Sequence, residues 1–174
     1  MNQIRTVIAD DQPMARERLT ALLSEEPDVQ VVAWDIVHTW PDYQRKMREY
    51  QSKADAIALV GFFDFSKDNI PHAEVARWTA DNSRLPDFAL WANRVQSGTL
   101  AAVTVSDREQ GMAAGRMARA ILIEGRSPAS FPMLPTKKGV PMVSLARANK
   151  LGLKVKSSVL LSADVIEKFD WEKP

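Results

Sequence analysis

Short apolar runs alternate with amphipathic segments along the first 125 residues of the chain. The apolar runs predict five strands, at residues 4–9, 29–33, 56–63, 87–92 and 100–106. Apolar side chains at helical spacing predict four helices, at residues 13–24, 40–53, 72–81 and 107–124. Strands that alternate with helices indicate a mostly parallel sheet with helices on both faces. We therefore predict an α/β fold, a flavodoxin-like doubly wound three-layer sandwich whose five-stranded parallel sheet has the order 2-1-3-4-5.

The pattern changes after Gly125. Four prolines fall within residues 128–141, so this stretch is predicted to be extended and irregular. Two short helices are predicted to follow it, at residues 145–151 and 162–169. The chain therefore reads as one α/β domain over residues 1–174 with an irregular C-terminal extension.

Composition excludes several classes of protein. A net charge of +1 gives no argument for binding nucleic acid or an acidic membrane, and no apolar run approaches the ~20 residues of a membrane span. The absence of cysteine excludes disulfides, thiolate metal sites and a cysteine nucleophile. The N-terminus lacks the features of a secretion signal. We predict a soluble chain, located in the cytoplasm of an expression host, with no nucleic-acid, membrane or obligate protein partner.

A pair of carboxylates, Asp10 and Asp11, directly follows the first strand. Such hard oxygen ligands suit Mg²⁺. The segment "IRTVIADDQPMARERLTALLSEEPDVQVV" resembles the start of a response-regulator receiver domain. The resemblance is in the order of its features, which are a strand, an Asp-Asp pair, a helix, a short acidic turn and a second strand. The resemblance implies that these carboxylates would help to hold Mg²⁺ beside a phosphorylated aspartate.

The rest of the chain lacks the other functional positions of that family. A receiver needs an aspartate after the third strand, a hydroxyl after the fourth and a lysine after the fifth. The corresponding positions hold Val60 or Gly61, Trp91-Ala92 and Val105-Ser106. We therefore expect no phosphotransfer, at most weak Mg²⁺ binding by Asp10 and Asp11, and no other cofactor.

Residues 34–174 resemble a different family. The segments "AIALVG", "PDFALWANRVQSGTLAAVTVSDREQGMAAGRMARAILIEGRSP" and "MVSLARANKLGLKVKSSVLLSADVIEKF" are similar to the C-terminal lobe of type I periplasmic substrate-binding proteins of ABC transporters. That resemblance implies two lobes with a ligand held between them. The two resemblances together predict an engineered chimera, receiver-like over 1–33 and binding-protein-like over 34–174, joined within Val31–Asp35. Such a chain is expected to be a scaffold or fold-evolution test with no natural function and no enzymatic activity.

Candidate ligand-binding residues lie at or just beyond the carboxyl ends of the predicted strands. They are Phe63, Asp64, Trp91 and Asn93. Ligands of open α/β sheets bind at this edge, so residual small-molecule binding is the alternative function. The competing interpretation is that Phe63 is core and Trp91 covers the sheet end, because one lobe encloses little of a ligand.

Three further features have structural interpretations. Ser106 is predicted to cap the helix that follows it, and Gly111 and Gly115 are predicted to allow that helix to lie close to the sheet. Aromatic surface left by a missing lobe, including Trp34, Trp40 and Trp78, predicts self-association.

Overall fold

Strands and helices alternate along the chain as the hydrophobic pattern predicts. The computed structural model describes residues 3–10, 13–60, 65, 68–132 and 139–172. The described strands are β1 (Ile4–Ala9), β2 (Val29–Asp35), β3 (Ala56–Leu59), β4 (Asp87–Ala89), β5 (Ala101–Val105), β6 (Gly139–Ser144) and β7 (Asp164–Ile166). The described α-helices are α1 (Pro13–Leu23), α2 (Trp40–Tyr50), α3 (His72–Asn82), α4 (Ala92–Gln96), α5 (Asp107–Leu122), α6 (Leu145–Lys150) and α7 (Ser157–Ser162).

The described strands form one sheet in the order β2-β1-β3-β4-β5-β6-β7. The first five are parallel, which confirms the α/β fold and the order 2-1-3-4-5. β6 then runs antiparallel to β5, and β7 runs parallel to β6. The sheet therefore has seven described strands where five were predicted.

The prediction of an irregular C-terminal extension is wrong over β6 and β7. Pro141 argued against a strand, yet it lies in β6 opposite Val103. The helix predicted at 162–169 is also wrong, because α7 ends at Ser162 and β7 follows it. The strand predicted at 87–92 ends at Ala89, and the short helix α4, which begins at Ala92, was not predicted.

Side-chain caps fix the starts of three helices. Thr39 Oγ1 accepts a hydrogen bond from Asp42 N at 3.3 Å at the start of α2. Ser106 Oγ accepts one from Glu109 N at 3.3 Å, which confirms the predicted cap of α5. Ser144 Oγ does the same for α6, where it accepts from Arg147 N at 3.1 Å. Each cap satisfies an N–H group that the first turn of a helix leaves without a partner.

The main core lies between the sheet and helices α2 and α3. Val7, Ala9, Ile57 and Leu59 project into it from β1 and β3, and they meet buried side chains of both helices. An aromatic cluster closes this core at one side, formed by Trp40, Tyr43, Phe65 and Trp78. Trp40 and Trp78 therefore contact each other rather than forming the exposed aromatic surface that the sequence predicted.

The opposite face of the sheet is covered unequally. Ile8 of β1 is fully buried there, whereas Phe88, Val103 and Val105 of β4 and β5 are 42%, 64% and 49% exposed. Helix α5 follows β5 directly but leaves these three side chains in solvent. Side chains added at Gly111 or Gly115 of α5 would meet nothing within 4 Å, so the predicted close approach of these glycines to the sheet is wrong.

The ladder between β1 and β2 contains a register shift. Thr6 lies opposite Val31, but the next residue, Val7, lies opposite Ala33. The extra residue on β2 is Val32, which is 38% exposed. Bulges of this kind are rare between parallel strands.

Candidate functional site

The carboxyl ends of the parallel strands form the edge where an open α/β sheet binds ligands. Asp10, Val60, Leu90 and Ser106 directly follow β1, β3, β4 and β5 at this edge. Leu90 and the next residue, Trp91, are each 46% exposed. We call this region the carboxyl edge.

Trp91 and Asn93 lie together at the carboxyl edge. Trp91 has an extended backbone and occupies the N-cap position of α4, and the exposed Asn93 lies in the first turn of the same helix. The structure thus places two of the four predicted ligand-binding residues at the carboxyl edge. The other two, Phe63 and Asp64, lie outside the described residues, as does Asp11 of the predicted metal pair.

Asp10 is buried at the end of β1, with 5% of its surface exposed. Its backbone N–H donates to Asp35 O at 3.2 Å, and its carbonyl accepts from Arg16 Nη1 at 2.9 Å. These bonds join β1 to β2 and α1. Within the part of the chain that the structure describes, no three histidine, aspartate or glutamate side chains lie close enough together to hold a metal ion.

Asp35 at the end of β2 is engaged with helix α2. It accepts a short hydrogen bond from the Tyr50 hydroxyl, and Lys46 Nζ lies 3.0 Å from Asp35 Oδ2. Burial, together with this carboxylate, raises the pKa of Tyr50 above its usual range. The Asp35 carboxylate therefore fastens α2 to the sheet.

Two small cavities lie inside the domain. One, of about 20 Å³, is lined in part by Tyr43, Thr79, Asp87 and Arg94. The other, of about 10 Å³, lies between β1 and α2. A cavity of the first size admits one water molecule, so neither accommodates an organic ligand. Among the described residues, the carboxyl edge is the open surface at which a sheet of this kind binds a ligand.

A buried ion pair joins Asp87 to Arg147. Arg147 Nε lies 3.0 Å from Asp87 Oδ1, and both side chains are 1% exposed. Arg147 also donates to Ala80 O at 2.9 Å and to Leu85 O at 3.3 Å. Burial raises the pKa of Asp87, and the Arg147 guanidinium opposes that rise.

The position of this pair makes it structural. Asp87 begins β4, so the pair lies at the amino ends of the strands, away from the carboxyl edge. It fastens α6 to α3, to the segment that follows α3 and to the start of β4. The sequence analysis missed this ion pair. The aspartate at the start of the apolar run "DFALWA" could have indicated it, because a carboxylate in a buried strand needs a buried cationic partner.

Comparison with known proteins identifies the family. The sequence model of the ABC transporter substrate-binding proteins matches residues 14–166. The chain therefore belongs to that family, whose members are binding proteins rather than enzymes. No curated protein matches the chain at the sequence level.

Solved structures support the fold. A conserved domain protein from Vibrio cholerae has 18% identity over 95% of this chain and a TM-score of 0.68. A ligand-free, open substrate-binding protein with adhesive properties from Clostridium difficile has 17% identity over 96% and a TM-score of 0.69. An ABC domain in complex with L-Trp from Streptococcus pneumoniae has 22% identity over 94% and a TM-score of 0.68.

The extent of these matches limits what they establish. This chain covers 55% of each of those three structures, so it spans about half of their length. The family match begins inside α1 and continues through β2, across the predicted junction at 31–35. None of the described helices is long and apolar enough to cross a membrane.

Proposed function

We propose that this chain is a single lobe of a substrate-binding protein and forms one wall of a small-molecule cleft at its carboxyl edge. The observation that carries the proposal is the exposed indole of Trp91, placed at that edge by the end of β4. An indole offers a large apolar contact surface. The exposed amide of Asn93 adds a donor and an acceptor beside it.

Amino acids are the ligand class that we propose. The Streptococcus pneumoniae protein that shares this fold was solved with L-Trp. An amino acid with an apolar side chain would contact the indole of Trp91, and its carboxylate would accept from the amide of Asn93. Phe63 and Asp64, which follow β3 in sequence, are proposed to complete this wall, because an aspartate complements an ammonium group.

One wall alone gives weak binding. Ligand pockets usually enclose 70–90% of a small molecule, and an open edge encloses much less. We therefore expect dissociation constants of about 1 mM or weaker for this chain by itself. Such binding is measurable by saturation-transfer NMR, in which signals of a weakly bound ligand respond to irradiation of the protein.

The test compares ligands and variants in that assay. L-Trp and other apolar amino acids are expected to give saturable transfer, and Trp91→Ala and Asn93→Ala are expected to reduce it. Trp34→Phe, a half-buried tryptophan on β2, is the control and should leave it unchanged. No saturable signal from amino acids, sugars or nucleosides, or full binding by Trp91→Ala, would contradict the proposal.

We propose further that the chain is an engineered chimera with no natural function of its own as a single lobe. The chimera is supported by the sequence of residues 4–33, which resembles a receiver domain, because the later strands lack the other functional positions of a receiver. The register shift at Val32, which falls within the predicted junction, also supports it. A splice between two parents is one way to leave an extra residue in a strand. The competing account is that the whole domain is an ordinary binding-protein lobe, because the family match already begins at residue 14.

One observation distinguishes these accounts. A natural chain that contains both segments contiguously would exclude the chimera. A separate test concerns the receiver-like segment, for which we expect no phosphotransfer and at most weak Mg²⁺ binding by Asp10 and Asp11. Acetyl phosphate with millimolar Mg²⁺ should leave the mass of the chain unchanged. A phosphoryl-sized increase in mass would contradict this part of the proposal.

A further inference from the structure

Phe88, Val103 and Val105 form an open sheet face. Strand pairing places them on one side of neighbouring strands, because Phe88 lies opposite Ala101 and side chains alternate along β5. All three are between 42% and 64% exposed. On the other side of the same strands, Ala89 and Ala102 are each 5% exposed. Strand residues of an α/β sheet normally lie beneath a helix on either side, so this apolar face lacks its cover.

Helix α5 carries an apolar face that is also in solvent. Its members are Gly111, Ala114, Gly115, Ala118 and Leu122, and all are exposed. They recur at the spacing of one helix face. Of the three arginines of α5, Arg116 lies away from this face, and Arg108 and Arg119 lie at its margin. Leu122 is 82% exposed, and nothing lies within 4 Å of a side chain added at Gly111 or Gly115. We call this the α5 apolar face.

We infer that the α5 apolar face of one copy covers the open sheet face of a second copy, in a reciprocal dimer. Both surfaces are exposed on the same chain, and α5 directly follows the strand whose face is open. Two different surfaces of one chain that are both in solvent can pair between two copies in a closed contact, in which each copy supplies one surface to the other. The contact uses neither the carboxyl edge nor Trp91, so it is independent of the proposed ligand site.

The area of the contact suits a dimer. The α5 apolar face spans 12 residues of the helix, so it is about 18 Å long and about 10 Å wide, with a footprint of roughly 180 Å². Counting both surfaces of both reciprocal contacts, the dimer would bury roughly 700 Å², which is the size of a weak and reversible interface. A single exposed helix on a monomer would leave all of this apolar surface in water.

The first test is the oligomeric state of the full chain. Sedimentation or light scattering over a wide concentration range should show a species of twice the 19.5 kDa of the chain. Val103→Glu and Ala118→Glu each place a charge in the contact and should weaken dimerisation by about tenfold or more. Gln30→Glu on β2 and Arg116→Gln, on the side of α5 away from Ala118, make the same change in charge at exposed positions elsewhere and should leave it unchanged.

A mixing experiment distinguishes the reciprocal contact from other dimers. A mixture of the Val103→Glu and Ala118→Glu chains retains one intact contact, between the helix of the first and the sheet of the second. Association in the mixture should therefore exceed that of either variant alone. A dimer that uses only the sheet face would be broken by Val103→Glu and unaffected by Ala118→Glu, and that result would overturn the proposal.

Engineered cysteines locate the helix. The chain has no cysteine, so the Val103→Cys/Ala118→Cys double variant introduces the only thiols. A helix that covers the sheet of a second copy should give covalent dimers under oxidation. A disulfide within one chain would show that α5 packs on the sheet of its own chain. A chain that is monomeric at every concentration would show that a second copy does not cover the open sheet face. Either result would overturn the proposal.

Discussion

Removal of the Arg147 guanidinium should destabilise the domain more than any exposed charge change. Arg147→Met leaves the Asp87 carboxylate, which is 1% exposed, without its ion-pair partner. It also removes the donors to Ala80 O and Leu85 O. Breaking a buried pair costs about 3–5 kcal/mol, and a buried carbonyl left without a donor adds about 1–3 kcal/mol. Because these terms overlap, we expect a loss of about 4–6 kcal/mol in the free energy of unfolding.

Urea unfolding followed by circular dichroism measures this loss. Domains of this size are stable by about 5–15 kcal/mol, so the variant should have a much lower midpoint at an unchanged slope. Lys150→Met is a matched control, because Lys150 is also on α6 and pairs with Asp81 of α3. Those two side chains are 40% and 47% exposed, so their loss should cost about 1 kcal/mol or less.

A double-mutant cycle separates the pair from its surroundings. Arg147→Met/Asp87→Leu removes both charges, so it should be less destabilised than the sum of the single variants by about 2 kcal/mol or more. Equal stability of Arg147→Met and Lys150→Met would refute the reasoning. So would strict additivity in the cycle, because the buried charge would then not be the source of the loss.

Three further outcomes follow from the structure. Burial raises the pKa of Tyr43 and Tyr50 above the usual 10. The neutral phenols therefore stabilise the fold at pH values below 10, and this contribution is lost as the pH rises through the raised pKa values. Phenolate absorbance should therefore appear only with loss of the dichroism signal, and ionisation of either phenol in the folded chain near pH 10 would be inconsistent with this. The Arg5 guanidinium lowers the pKa of Asp55 to about 2. The unsubstituted chain should therefore be more stable than Asp55→Asn above about pH 5, and this advantage should disappear as the pH falls through about 2. Urea unfolding midpoints measured in acid check this. Gly98 has φ +117°, and a side chain there would lie 2.8 Å from Trp171 Cη2. Gly98→Ala should therefore lower the free energy of unfolding in urea by about 1–3 kcal/mol. A cost no greater than that of an alanine placed at a glycine in open space would contradict the predicted clash.

The sequence pattern identified the elements that depend only on the order of apolar and polar residues in a short stretch of chain. The strands β1 to β5 were found because each is a compact apolar run, and their order follows from the alternation with helices. The cap of α5 by Ser106 was found because capping depends on residues three positions apart. These features need no knowledge of distant contacts.

The features that were missed depend on contacts between distant segments. β6 carries a proline and becomes a strand because it pairs with β5, about 35 residues earlier. Arg147 lies 60 residues from Asp87, so neither residue alone predicts a buried ion pair. Trp91 and Asn93 were proposed as site residues because they lie near the end of an apolar run, although β4 ends at Ala89 rather than at residue 92.

The exposure of α5 was not predictable either. Its small residues at helical spacing are typical of a helix that packs closely, and the sequence does not say against what. In this structure that face meets solvent. A pattern of spacing therefore predicts that a surface will be covered but not which chain covers it.

The aromatic cluster gives this domain an optical signal of its own. The rings of Trp40 and Trp78 are 5.4 Å apart and inclined at 76°. Indole transitions at such a separation couple, and a non-parallel pair gives a paired positive and negative band in the far-ultraviolet dichroism spectrum. Because one ring belongs to α2 and the other to α3, this band reports when the two helices dock. Docking can thus be followed without any label, and helix content read from the same spectrum needs correction for the band.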